Sequence, residues 1–247
     1  MDAKADHFSS EAVDTVAMTL QDAHYGVDVV NEHILRSGAT EYRVLVVPDT
    51  QREVAPETFV AIVDFVRDGG KLAVLGNSLL TVEGVADPIE SLRRLHGDAT
   101  CAGSVTIADV PSQLLYPKAG GVLVGVMDRL QVTPDVTITS GGEDRHLVFS
   151  QRGRDDRLLL HVVDLTSHAD GRQLPPNDKN NATDPVEAIP TLRLKMRLAT
   201  APNDVAIWPT DSRVKHAWRD GVLELTLRNV ETHAVVDISL PIPEASP

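Results

Sequence analysis

Ser78, Cys101 and His96 come nearest, by type and spacing, to the groups of nucleophilic catalysis. A serine attacks only when a base takes its proton and an acid orients that base. Ser78 stands in Gly76-Asn77-Ser78-Leu79-Leu80, just after the apolar run Leu72 to Leu75. That is where a strained strand-to-helix elbow would present a nucleophile. The elbow needs small residues on both sides. Gly76 meets that need, and Leu80 does not. His96 is near in sequence, but no Glu or Asp has the spacing to orient it. Ser78 therefore reads as a cap for the next element. Cys101, in Asp98-Ala99-Thr100-Cys101-Ala102-Gly103, falls between a helical pattern and a strand pattern. It reads as a small buried hydrophobe, not a reactive thiol. A small hydrolase built on Ser78 or Cys101 is the enzymatic alternative.

Other chemistries have less to stand on. His161, Asp164 and His168 are close in sequence, but a strand alternates its faces and would point His161 and Asp164 opposite ways. His24, His33 and His96 lack ligand spacing, so no metal site is expected. Gly120-Gly121-Val122-Leu123-Val124-Gly125 has glycines without the strand before and helix after that a phosphate loop needs. Asn181-Ala182-Thr183 matches the glycosylation triplet by accident. Paired carboxylates for glycoside hydrolysis would come from the ends of barrel strands, and the chain has too few β-α repeats for a barrel. No cofactor is expected. Trp208, Trp218 and Tyr116 are the candidate sugar platforms of a carbohydrate-binding module, although tryptophans in a sandwich more often serve packing.

The elements that would position these groups are legible. Residues 42–78, YRVLVVPDTQREVAPETFVAIVDFVRDGGKLAVLGNS, read as strand, turn, helix and strand. Pro56 opens the helix, Phe59, Ile62, Val63 and Val66 recur at helical spacing, and Gly69-Gly70 close it. Such a unit implies a parallel pair with a right-handed crossover. Chemistry in these sheets sits in the turns after the strands. Here the turns are Pro48-Asp49-Thr50-Gln51 and Gly76-Asn77-Ser78, and neither holds a catalytic set. Upstream, Ser9 or Ser10 would cap a helix carrying Ala12, Val13, Val16, Ala17 and Leu20. Val27 to Val30 would be a short strand and Asn31 to Ser37 a helical turn. Asp87-Pro88 would open a helix running to Gly97.

Strand signals dominate from about Ser104. Val105 to Ile107 and Val136 to Thr139 are β-branched runs. Leu147 to Ser150 and Arg157 to Asp164 flank a turn at Arg152-Gly153-Arg154-Asp155. In Thr191 to Leu198 the leucines and Met196 alternate with Arg193, Lys195 and Arg197, so one face is buried and one is wet. Val222 to Leu227 and Ala234 to Leu240 complete the set, and Asp220-Gly221 is a turn signal. Asp170 to Pro190 is a polar loop with four prolines.

Bulk properties narrow the classes. The chain has 247 residues, 42% of them apolar and only 4% aromatic, so its cores must be built from Val, Leu, Ile and Ala. A net charge of -13 repels phosphate backbones and anionic membranes, so neither is an expected partner. The single cysteine excludes an internal disulfide. The N-terminal stretch MDAKADHFSSEAVD has no apolar core for a signal peptide. These features set the expectation of a cytoplasmic protein.

Three segments carry a family resemblance: Tyr25 to Asn31 (YGVDVVN), Tyr42 to Pro48 (YRVLVVP) and Ile62 to Leu72 (IVDFVRDGGKL). Together they resemble the amidotransferase-like trimerisation domain that follows the catalytic barrel in β-galactosidases of glycoside hydrolase family 42 and related putative glycosidases. Leu158 to Leu165, Val205 to Pro209 and His233 to Ile238 look like strands of the C-terminal β-domain of such enzymes. The resemblance runs from about residue 16 to 240. The barrel with both catalytic glutamates is missing, so no family catalytic residue carries over.

The resemblance implies an α/β, flavodoxin-like (class I amidotransferase-like) three-layer sandwich over residues 1–100. A small antiparallel β-sandwich would follow over 101–247. It implies a non-catalytic accessory and oligomerisation role beside a glycosidase. The expected partners are a second copy or a catalytic barrel, with carbohydrate as a possible ligand.

Overall fold

The computed structural model describes residues 3–38, 42–49, 53–76, 81–97, 101–109, 120–142, 145–154, 156–165, 187–209 and 213–241. It is a mixed α/β chain with parallel and antiparallel sheets. It divides into two compact units, residues 1–23 with 27–133, and 24–26 with 134–247. The division expected near residue 100 thus lies between Thr133 and Pro134.

The first unit is built on strands β1 (Val44–Val47), β3 (Lys71–Leu75) and β5 (Ser104–Ala108), in the order β1-β3-β5 and all parallel. The expected crossover is present: α3 (Pro56–Arg67) joins β1 to β3. Its face of Phe59, Ile62 and Val66 shares a core with Leu72 and Val74 of β3. Ala73 and Leu75, on the other side of β3, are also buried, so the central strand is covered on both faces. Pro56 occupies the first turn of α3, where a missing N–H costs nothing. At the other end Gly69 N–H donates to Val66 O (3.1 Å) and Gly70 N–H to Phe65 O (2.9 Å), a Schellman closure. A short parallel pair, β2 (Glu53–Val54) with β4 (Thr81–Val82), and helices α1 (Ala3–Asp22), α2 (Glu32–Arg36), α4 (Pro88–Gly97) and α5 (Gly120–Arg129) complete the unit.

Several local expectations are corrected. Ser9 and Ser10 lie inside α1, because the Ala-Lys-Ala before them already favours helix. Val27 to Val30 forms no strand; the residues just before are committed elsewhere, His24 O accepting from Asp135 and Val136 N–H and Gly26 N–H donating to Asp135 Oδ2. The glycines from Gly120 open α5, which buries Leu123, Val126 and Met127, so a helix does follow. β5 belongs to the parallel sheet and not to the β-rich part, because its partner is β3.

The second unit has two four-stranded sheets. One runs β10 (Asp204–Trp208), β13 (His233–Ser239), β8 (Arg157–Asp164), β7 (Leu147–Arg154). The other runs β11 (Arg213–Arg219), β12 (Val222–Val230), β9 (Ile189–Arg197), β6 (Val136–Ser140). All their pairings are antiparallel, and alternate residues of both sheets supply one apolar core, among them Leu160, Val236, Leu194 and Leu225. This is sandwich packing. β7 runs on through Arg152 and Gly153 to Arg154, so the expected turn falls later, because these residues remain in register with β8. The Asp170 to Pro190 loop falls outside the described residues up to 186, and Ile189 and Pro190 already belong to β9.

The Asp220-Gly221 turn is as expected. Both residues have left-handed backbone, φ 51° and 77°, which a two-residue hairpin between β11 and β12 requires. Gly221→Ala should cost about 1 kcal/mol. A urea midpoint followed by tryptophan fluorescence tests this, and an unchanged midpoint would contradict it.

Candidate functional site

The carboxyl ends of β1 and β3 form the crest where chemistry would sit in a parallel sheet. Gly76 lies against the Asp49 side chain, so the two crossover turns meet there. Gly76 N–H donates to Ala108 O (2.8 Å), tying the third strand end to the same crest. Ser78 lies outside the described residues, and His96 stands near the end of α4.

Cys101 is half-buried beside the apolar core of the first unit, its Sγ 3.5 Å from Val66 O and 4.0 Å from Gly103 O. Val66 is in the last turn of α3, where exposed carbonyls make the negative end of the helix. Cys101 packs against that core half-buried, where the sequence suggested a buried hydrophobe.

A second group gathers on the outer face of the sheet β10-β13-β8-β7. The register aligns Trp208, Val235, His161 and Ser150 in one row across it. Trp208 is 56% exposed. His161 Nδ1 is 3.2 Å from His233 Nε2, one ring donating and the other accepting, and the rings stack with centroids 5.5 Å apart. Asp237 Oδ2 accepts from Arg157 (3.1 Å), while its Oδ1 is enclosed with no hydrogen-bond partner.

Asp164 is buried on the opposite side of β8 from His161 and pairs with Arg145 at 3.3 Å, so the strand parts the two as expected. Among the described residues no group of three metal-ligating side chains occurs. The partner of His161 is 72 residues away in sequence, and only the strand register reveals it. Trp218 is half-buried against the sandwich core and donates Nε1–H to Leu198 O (2.9 Å), a packing role. Tyr116, His168 and Asn181-Ala182-Thr183 lie outside the described residues. No described helix is long and apolar enough to cross a membrane.

With this geometry in view, likenesses to solved proteins can be stated. The alpha-L-fucosidase isoenzyme 2 from Paenibacillus thiaminolyticus is similar over 93% of this chain and 45% of its own, at 13% identity and a TM-score of 0.60. The beta-galactosidase from Bacillus circulans sp. alkalophilus is similar over 94% of this chain and 38% of its own, at 11% identity and a TM-score of 0.50. The chain thus spans less than half the length of either. At such identities the likeness is one of fold. No protein-family model and no curated protein matches the sequence.

Proposed function

We propose that the chain is the non-catalytic accessory and oligomerisation portion of a glycosidase-like protein of the β-galactosidase type. In this reading the first unit is a flavodoxin-like, amidotransferase-like trimerisation domain and the second its C-terminal β-domain. The observation that carries it is the order of parts: a parallel α/β unit and then an antiparallel sandwich, similar over 93% of the chain to part of a fucosidase structure. Exposed apolar side chains add support. Met18, Val29, Ile34, Val60 and Val122 are all exposed on the first unit, against Trp208 on the second. Exposed apolar surface of this kind marks interfaces when it is contiguous.

Two outcomes are expected. Light scattering across a concentration series should give a mass above that of one chain, and Val60→Lys should lower it. A strict monomer at every concentration would remove the oligomerisation role. The purified chain should also hydrolyse no aryl glycoside. Turnover that survives repurification and is abolished by one Asp or Glu substitution would overturn the non-catalytic reading.

A second reading, sugar contact on the sandwich, is favoured by Trp208, which is exposed and shares the outer face of its sheet with His161 and Asp237. A platform of this kind would bind a neutral galactan and lose it on Trp208→Ala.

A further inference from the structure

The outer face of the sheet β11-β12-β9-β6 has a charge opposite to that of the chain. From β9 it presents Arg193, Lys195 and Arg197, while Leu192, Leu194 and Met196 between them are buried. From β11 it presents Arg213, Lys215 and Arg219, and from β12 Arg228. All seven cations are exposed. Glu224 is the one carboxylate among the described residues of this face, opposite Lys195 and bonded to it at 2.8 Å. A local surplus of six positive charges therefore stands on a protein of net charge -13.

Protection of a sheet edge explains cations on β11, which is an edge strand. It does not explain those on β9 and β12, which are interior strands. Solubility does not explain them either, since the rest of the chain obtains it with carboxylates.

The register gives the face a shape. Lys215, Thr226 and Arg193 form one row across it, and Arg219, Val222 and Arg197 another. The β9 and β11 cations are therefore two rails on either side of β12, about 10 Å apart, with same-face positions recurring about every 7 Å along each strand. Between the rails β12 places the short side chains of Val222 and Thr226, Glu224 drawn to one side by Lys195, and Arg228 at the end beside Arg213. The hydrogen bond from Lys195, and then its charge, hold Glu224 below the usual carboxylate range; desolvation opposes this and the Arg219 charge adds to it.

We propose that this face binds a linear anionic polysaccharide, one carrying carboxylate or sulfate groups along its length. Five of the seven cations are arginines, whose planar fork matches carboxylate and sulfate oxygens two at a time. The rails suit a repeating polymer better than a point ligand. Nucleic acid fits less well. Among the described residues the face carries no aromatic ring on which bases could stack, since Trp218 turns inward. The inference rests on the sandwich alone and goes beyond the accessory role.

The test is affinity electrophoresis of the full chain in native gels containing polygalacturonate, dextran sulfate or neutral galactan, with filter binding to single-stranded DNA alongside. Retardation is expected with polygalacturonate, dextran sulfate or both at low salt, and the two arms separate carboxylate from sulfate preference. Arg193→Ser with Arg197→Ser, or Arg213→Ser with Arg219→Ser, should each weaken it and reduce the slope of log K against log salt by about two. Glu224→Gln, which removes no cation, should shift retardation to lower polymer concentration. The tryptophan fluorescence midpoint checks that each variant is folded. If a double variant fails that check, Glu224→Gln and the salt slope of the unaltered chain decide. The proposal is overturned by no retardation with either anionic polymer, by folded double variants retarded as strongly as the parent, by no response to Glu224→Gln together with no salt dependence, or by DNA binding as tight as polysaccharide binding. Retardation of galactan that persists in the double variants would belong to the Trp208 face and not to this one.

Discussion

Arg145→Met is expected to lower the stability of the sandwich by about 3 kcal/mol, the scale for removing one partner of a buried ion pair. The Asp164 side chain is fully buried, and Arg145 reaches it at 3.3 Å while donating from its other nitrogen to Glu187 O at 3.0 Å. Methionine keeps much of the arginine stem but takes this charged donor away from a buried carboxylate. The chain's two tryptophans, Trp208 and Trp218, both lie in the second unit, so their fluorescence during urea unfolding reports on the sandwich. The double change Arg145→Met with Asp164→Leu should recover most of the loss, since replacing a whole buried pair by apolar groups is often neutral. A single variant whose midpoint stays at that of the parent would show that the pair carries no such weight.

The second large effect is expected from Gly103→Ala, also about 3 kcal/mol, at the high end for overpacking a tight site. A Cβ at Gly103 would land on the carbonyl oxygens of Val66 and Gly70. Both belong to the closure of α3, and Ser104 N–H donates to Gly70 O at 3.3 Å. Backbone cannot step aside as a flexible side chain can, so either the helix end or the start of β5 must move. All described helices lie in the first unit, so the helical far-UV circular dichroism band is the signal to follow. An earlier loss of that band, with the tryptophan midpoint unmoved, is the expected pattern. A variant as stable as the parent by both signals would sink the argument.

The sequence was most legible where a single face of an element is buried. Phe59, Ile62 and Val66 at helical spacing specify α3, and the alternation from Leu192 to Met196 specifies β9, because each pattern satisfies one burial geometry and no other. Pro56, Gly69-Gly70 and Asp220-Gly221 mark their boundaries through backbone chemistry that few other residues share. The order of parallel and antiparallel parts followed from these elements. Val27 to Val30 shows the converse: four residues of strand-like composition join no strand among the described residues, since β propensity acts only through a neighbouring strand.

What the tertiary structure alone decided is pairing across long separations. The run Val105 to Ile107 carries the same β-branched signal as the sandwich strands, and only its place beside β3 assigns it to the first unit. His161 meets His233 because β8 lies against β13, and nothing local to either histidine encodes that register. β11 was not expected at all. Its outward Arg213, Lys215 and Arg219 mask the inward Val214 and Trp218, so its composition resembles a solvated loop. Once β12 pairs with it on one side and with β9 on the other, scattered cations become two rails on one face. By itself the sequence determined burial where local periodicity is clean, as along α3 and β9. It could not determine which exposed residues stand together, because a surface is assembled by hydrogen-bonded neighbours that the chain brings from far apart.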